Sequence, residues 1–145
     1  MTMIFREYDP SDDLAPCAAL MRLLREHLDP DDSAVAARLR RQMTQGYRLG
    51  GLVGGGRPMA LMGFRFMENL VFGSFLYVDD LVVAPEVRGQ GHAAQLLGTA
   101  SRIAREAGQD LVVLDTALSN ARALRLYERN GFERVAHRLV HRLGS

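Results

Sequence analysis

Six consecutive residues, Arg88-Gly89-Gln90-Gly91-His92-Ala93, have the types and spacing to hold an anion. A helix-like run, "GHAAQLLGTASRIAREAG", begins among them. The start of a helix leaves four N–H groups unpaired and carries partial positive charge. Glycines ahead of it let a bulky anion reach the backbone, so the segment reads as a phosphate or pyrophosphate cradle. A plainer alternative is that Gly89 and Gly91 only shape a loop and Arg88 is solvated. A rival alternative is a dinucleotide site, because "GQGHAA" fits G-x-G-x-x-A and Asp115 closes a later strand. That fingerprint needs a strand turning directly into its first glycine, yet Ala84 to Arg88 intervene. Too little chain follows Asp115 for the second half of a doubly wound sheet.

Other chemistry is bounded by what the chain holds. It has no lysine; all 18 basic residues are arginine. A Schiff-base lysine and a P-loop lysine are therefore excluded, and phosphates must be met by arginine and backbone N–H groups. The one cysteine, Cys17, excludes an internal disulfide framework and reads as a buried small residue in a reducing compartment. His137 and His141 lie four apart on a probable strand, which is poor metal-ligand spacing, so no metal is expected. His27 ends the first helix, and His92 contributes backbone to the cradle.

Certain elements must position these groups. "MIFREY" alternates as a first strand. Ser11, Asp12 and Asp13 are helix caps for a run from Leu14 to about Leu28. Pro30 restarts the chain, and a second helix covers Ser33 to about Gln45. "YRLGGLVGGGRPMALMGFRFM" reads as two strands around a turn at Gly54–Gly56, and "SFLYVDDLVV" as a third. The helix after Gly91 has one apolar face, with Leu96, Leu97, Ala100, Ile103 and Ala104, and stops at Gly108. "DLVVLDT" is a buried strand, "SNARALRLYERNG" a helix, and "FERVAHRLVHRL" one or two closing strands. The order β-α-α-β-β-β-α-β-α-β predicts an α/β (mixed α+β) domain spanning residues 1–145. Its mixed, mostly antiparallel sheet has six to seven strands, with helices on both faces.

With these pieces in place, the chain resembles the GNAT superfamily of N-acetyltransferases. "LVVAPEVRGQGHAAQLL" is similar to its acetyl-CoA signature, R/Q-x-x-G-x-G/A, read here as Arg88-Gly-Gln-Gly91-His-Ala93. "NARALRLYERNGF" is similar to its N-x-x-A-x-x-x-Y-x-x-x-G-F helix, with Asn120, Ala123, Tyr127, Gly131 and Phe132. Both occur in the family's order with a strand between them. Two departures are small: His92 stands where small or aliphatic residues are usual, and Ala93 replaces glycine.

The resemblance implies a fold and a chemistry. The fold would be the GNAT fold. The pyrophosphate of acetyl-CoA would lie on the amides of Arg88, Gly89, Gln90, Gly91, His92 and Ala93. The pantetheine arm would pair with the backbone of Leu81, Val82 and Val83, which needs a strand splayed from its neighbour, often through a bulge. Tyr127 matches the general acid; a phenol with an ordinary pKa of about 10 can protonate a departing thiolate. Asn120 matches a pantetheine contact, and a plain helix N-cap is its alternative reading. Asp79 and Asp80 end the strand that would present the thioester, so one of them is the candidate base for the acceptor amine. Regular alternation puts them on opposite faces, with Asp79 beside Leu81 and Val83, which favours Asp79 as base and leaves Asp80 structural.

The function implied is direct transfer of an acetyl group from acetyl-CoA to a primary amine in a ternary complex. A non-catalytic acyl-CoA-binding sensor of the same fold is the alternative, and a longer acyl donor is a variant. Net charge of +1 argues for neither nucleic acid nor an anionic membrane as partner. The first ten residues lack a long apolar signal region, and a cytoplasmic location is expected. A homodimer is left open. The acceptor is not specified, since Asp29, Asp31, Asp32, Arg22, Arg25 and Arg138 mix both charges in the regions that would shape its site.

Overall fold

The structure is a computed structural model and describes residues 2–144. The chain falls into two units, one ending at Leu114 and one beginning at Asp115.

The first unit is built on a five-stranded sheet: β1 (Ile4–Tyr8), β2 (Arg48–Gly54), β3 (Arg57–Asn69), β4 (Gly73–Val83) and β5 (Val112–Leu114). Spatial order follows chain order, with antiparallel pairing from β1 to β4 and a parallel step from β4 to β5. Two residues, Gly55 and Gly56, turn β2 into β3 at φ of +63° and +79°. Such a turn needs positive φ at both central positions and matches the twist of the flanking strands. Parallel pairing of β4 and β5 requires a crossover, supplied by α3 (His92–Glu106).

Helices cover both faces of the sheet. On one face α1 (Ala15–Leu24) and α2 (Asp32–Met43) enclose Leu14, Cys17, Leu39, Tyr47, Leu49, Leu61 and Val82. On the other, Leu96, Ala100 and Ala104 of α3 pack on Leu52, Met62, Phe64, Leu76 and Val78. Asp13 accepts from the Ala15 amide at 3.1 Å and Asp31 from the Ser33 amide at 3.0 Å, so short acidic side chains start both early helices. α1 stops at Leu24, short of the expected Leu28, where the chain turns at Arg25.

The second unit holds α4 (Ala121–Arg129), capped by Asn120 and ended at Gly131, whose φ is +92°. Beyond Phe132 the described residues carry no regular secondary structure. The expected six to seven strands are therefore five, and the closing strand of "FERVAHRLVHRL" is absent among the described residues. Val135, Leu139, Val140 and Leu143 are exposed there. Mixed apolar and polar composition can suggest a strand, but only a hydrogen-bonded neighbour makes one.

Candidate functional site

The cradle segment is made of backbone. Pro85–Val87 forms one 3₁₀ turn after β4, and the chain then enters α3 through Gly89 (φ +77°) and Gly91 (φ +84°). Both glycines hold a conformation that L side chains rarely adopt. A Cβ built on either meets nothing within 4 Å, so the space above them is open. Gly91 is the N-cap of α3 and supplies no side-chain acceptor to the helix's first amides. Among the described residues, those amides lack the side-chain cap that Asp31 and Asn120 give to their own helices. The residues present thus fit an anion such as a pyrophosphate. Arg88 is exposed and turns its Nε back to the Val83 carbonyl at 3.3 Å. Both ring nitrogens of His92 are buried without a partner among the described residues.

The strand ahead of the cradle has an open edge. The β4–β5 ladder ends at Val78↔Leu114. Leu81, Val82 and Val83 therefore have no ladder partner on the β5 side among the described residues. On the β3 side they pair with Met62, Leu61 and Ala60.

Between the end of that ladder and the open edge lies a bulge. Gly63 pairs with Asp80 and Phe64 with Val78, which leaves Asp79 as an extra residue on β4. Alternation shifts by one there. Val78 and Leu81 both pack toward α3, while Val82 is buried toward α1 and α2. The expectation that Asp79 and Asp80 face opposite ways, with Asp79 beside Leu81, is overturned. Both carboxylates reach the group of residues around Tyr47.

That group is closely bonded. Asp80 accepts from Arg25 Nε at 3.1 Å and Nη2 at 3.0 Å through Oδ1, and from the Tyr47 hydroxyl at 2.8 Å through Oδ2. Arg25 Nη2 also donates to the Asp79 carbonyl at 2.8 Å, which ties the end of α1 to the bulge. Asp79 accepts from Arg65 Nε at 3.0 and 3.2 Å and from Nη2 at 2.7 Å. The Arg65 guanidinium lies 5.4 Å from the centre of the Tyr47 ring. Tyr47 is buried, and a Cβ at Gly63 would overlap its hydroxyl, so glycine at 63 is what admits the phenol. Burial raises the Asp79 pKa above the usual carboxylate range, and Arg65 opposes the rise. Burial, with Asp80 adding to it, holds the Tyr47 phenol well above its ordinary value.

Nothing local in the sequence marks Arg65, Tyr47 or Gly63 as partners of these carboxylates. Their only signal was two adjacent aspartates on a strand beside a resemblance that allows a bulge. Cys17 lies buried against α1's neighbours with its thiol pushed up to about 11 by burial, which suits a packing role rather than a nucleophile.

In the second unit, Asn120 Oδ1 accepts from the Ala123 amide at 3.0 Å, so its oxygen serves as the helix cap. The Tyr127 ring meets Phe132 edge-on, centroids 5.9 Å apart, and the Phe132 amide donates to the Tyr127 carbonyl at 3.0 Å. Phe132 thereby packs beside the ring at the end of α4. No group of three or more His, Cys, Asp or Glu side chains among the described residues could hold a metal ion. No helix among them is long and apolar enough to cross a membrane.

Comparison with known proteins bears on this geometry. The family model described as "Acetyltransferase (GNAT) family" matches residues 17–132. An aminoalkylphosphonate N-acetyltransferase of Salmonella typhimurium is 38% identical over 66 residues, which are 46% of this chain and 43% of that protein. The N-alpha-acetyltransferase MAK3 of Arabidopsis thaliana is 43% identical over 65 residues, 45% of this chain and 34% of that one. The matched stretches thus span less than half the length of either relative. Among solved structures, an aminoglycoside N-acetyltransferase in complex with CoA superposes with a TM-score of 0.82 over 97% of this chain and 93% of that one, at 18% identity. That likeness is one of fold.

Proposed function

Because the chain belongs to the GNAT family of acetyltransferases, we propose that it transfers an acetyl group from acetyl-CoA to a primary amine, by direct attack in a ternary complex in the cytoplasm. One observation carries the reading: α3 opens at Gly91 with no side-chain cap, one short turn after a β4 edge whose last residues have no ladder partner on the β5 side among the described residues. A pyrophosphate suits the first feature and an extended amide-bearing arm suits the second.

The roles follow from the residues. Backbone amides of Arg88, Gly89, Gln90, Gly91, His92 and Ala93 hold the pyrophosphate. Leu81, Val82 and Val83 pair with the pantetheine arm, and a β4 amide meets the thioester oxygen as negative charge develops there. Asn120 contacts the arm through its amide NH₂, since its oxygen is committed to the cap. Asp79 takes a proton from the acceptor ammonium, directly or through one water. The freed nitrogen attacks the thioester carbon, the C–S bond breaks, Tyr127 gives its phenolic proton to the departing sulfur, and the nitrogen's remaining extra proton returns through water to the phenolate, leaving a neutral amide and the coenzyme A thiol. Asp80, gripped on both oxygens, holds the bulge in shape. The names of both relatives specify nitrogen acceptors, which supports an amine here.

The test is release of the coenzyme A thiol from acetyl-CoA over a panel of amines: an aminoalkylphosphonate, an aminoglycoside and a peptide with a free α-amino group. Calorimetry of acetyl-CoA binding runs beside it. Binding with amine-dependent thiol release is expected. Binding with no release for any amine would leave a non-catalytic acyl-CoA module instead.

A further inference from the structure

The bulge that brings the two aspartates together also leaves Asp79 poorly held by the sheet. As the extra residue of β4, it has no opposite residue on β3. Its carboxylate is placed by side chains instead. Arg65, from the neighbouring strand, donates three hydrogen bonds to it at 2.7 to 3.2 Å. A guanidinium that grips both oxygens fixes the plane of a carboxylate as well as its charge. Arg65 is itself braced, because its guanidinium lies over the buried Tyr47 ring. Tyr47 is pinned in turn, its hydroxyl on Asp80 and its space cleared by Gly63.

From this chain of contacts we infer that Arg65 is a positioning residue for amine deprotonation, holding the Asp79 carboxylate ionised and in one orientation, with Tyr47 as its brace. The inference rests on the reading of Asp79 as base. Four charged or titratable groups meet at the bulge besides Asp79: Arg65 from β3, Asp80 from β4, Arg25 from the end of α1 and Tyr47 ahead of β2. Two guanidiniums balance two carboxylates, and the phenol stays neutral. Loss of Arg65 would leave a half-buried carboxylate beside the negative Asp80 with no counter-charge of its own. Desolvation and the like charge then both favour the protonated acid, which cannot accept a proton. A carboxylate keeps room for the proton even with Arg65 bound, since each oxygen has two lone pairs. The Asp79 side chain is 19% exposed, so an amine or a single water can reach it.

The experiment measures kcat/KM against pH for the full chain with acetyl-CoA and the panel amine turned over fastest, in wild type, Arg65→Gln, Arg65→Lys, Asp79→Asn and the Arg65→Gln/Asp79→Asn double variant. Carboxyl ¹³C NMR of Asp79 gives its titration midpoint without any acceptor. Arg65→Gln is expected to raise that midpoint and the acidic limb together by about one unit or more, a shift of the size a lost charge partner gives. Its rate loss should be about tenfold on the acidic side and shrink as pH rises past the new midpoint, because Asp79 is then ionised again. Arg65→Lys keeps the charge but not the two-oxygen grip, so it should recover most of the midpoint and part of the rate. In the Asp79→Asn background, Arg65→Gln should cost little more. An unmoved midpoint, an equal loss at every pH, or a full additional loss in the double variant would overturn the positioning role. If Arg65→Gln fails to fold, a wild-type rate at every pH in Arg65→Lys overturns it, since loss of the two-oxygen grip should cost rate. An unchanged profile in Asp79→Asn would instead remove the base assignment beneath it, and absence of thiol release with every amine would remove the acetyl-transfer reading altogether.

Discussion

The start of α3 and the bulge of β4 lie close to each other in sequence and are built on opposite plans. At the start of α3 the functional surface is backbone. Gly89 and Gly91 open space, no side chain caps the helix, and the exposed Arg88 turns back to a carbonyl. At the bulge the functional surface is side chain. Two carboxylates, two guanidiniums and a phenol saturate one another, and the backbone contributes mainly an extra residue. The first arrangement offers unpaired donors to a ligand that brings its own charge. The second has its charges already balanced and offers a held lone pair. The two roles proposed for them, holding an anion and moving a proton, have these different needs. The contrast predicts that the two regions fail differently when altered.

The largest effect should come from putting charge into the backbone site. Gly91→Asp places a carboxylate where the pyrophosphate is assigned, and acetyl-CoA affinity should fall about a hundredfold or more, by like-charge repulsion in a site built for an anion. Gly91→Asn separates charge from strain, since asparagine tolerates positive φ and brings no charge. It should bind markedly better than Gly91→Asp by calorimetry. Equal affinity in the two variants would break the contrast, because strain and not charge would then govern the loop.

A smaller effect, on stability rather than affinity, is expected at the bulge. Gly63→Ala forces a methyl group into the Tyr47 hydroxyl. Overpacking of this kind typically costs about 1–3 kcal/mol. The denaturation midpoint should drop while acetyl-CoA binding stays near wild type. Affinity falling in step with stability would mean that the two regions form one cooperative device. The smallest effect is expected at Gln90. Its side chain has no assigned part in a cradle made of amides, so Gln90→Ala should leave affinity within about twofold, the change a peripheral surface side chain commonly makes.

The same contrast explains what could be read before the structure was known. The cradle is local: glycine spacing, a helix pattern and the absence of lysine all lie in the chain, and the fold follows the expected element order through α4. The bulge cluster is not local. Tyr47, Gly63, Arg65, Asp79 and Asp80 come from three strands or their flanks, and the shift in alternation arises only when Gly63 pairs with Asp80. Period-two counting put the aspartates on opposite faces because it cannot register an inserted residue. The missing closing strand has a related cause. Residues 133–143 mix apolar and polar doublets, and such a composition says nothing about whether a neighbour is there to pair with.

The central claim, acetyl transfer from acetyl-CoA to an amine, is tested most directly by mass spectrometry of the panel amines after incubation with acetyl-CoA and the protein. At least one amine should carry an acetyl group on nitrogen, formed in step with thiol release. Its rate should fall about 10²–10⁴-fold in Tyr127→Phe, the worth of a general acid, with acetyl-CoA binding retained. Tight acetyl-CoA binding with every amine recovered unmodified, or a product rate unchanged in Tyr127→Phe, would contradict the account.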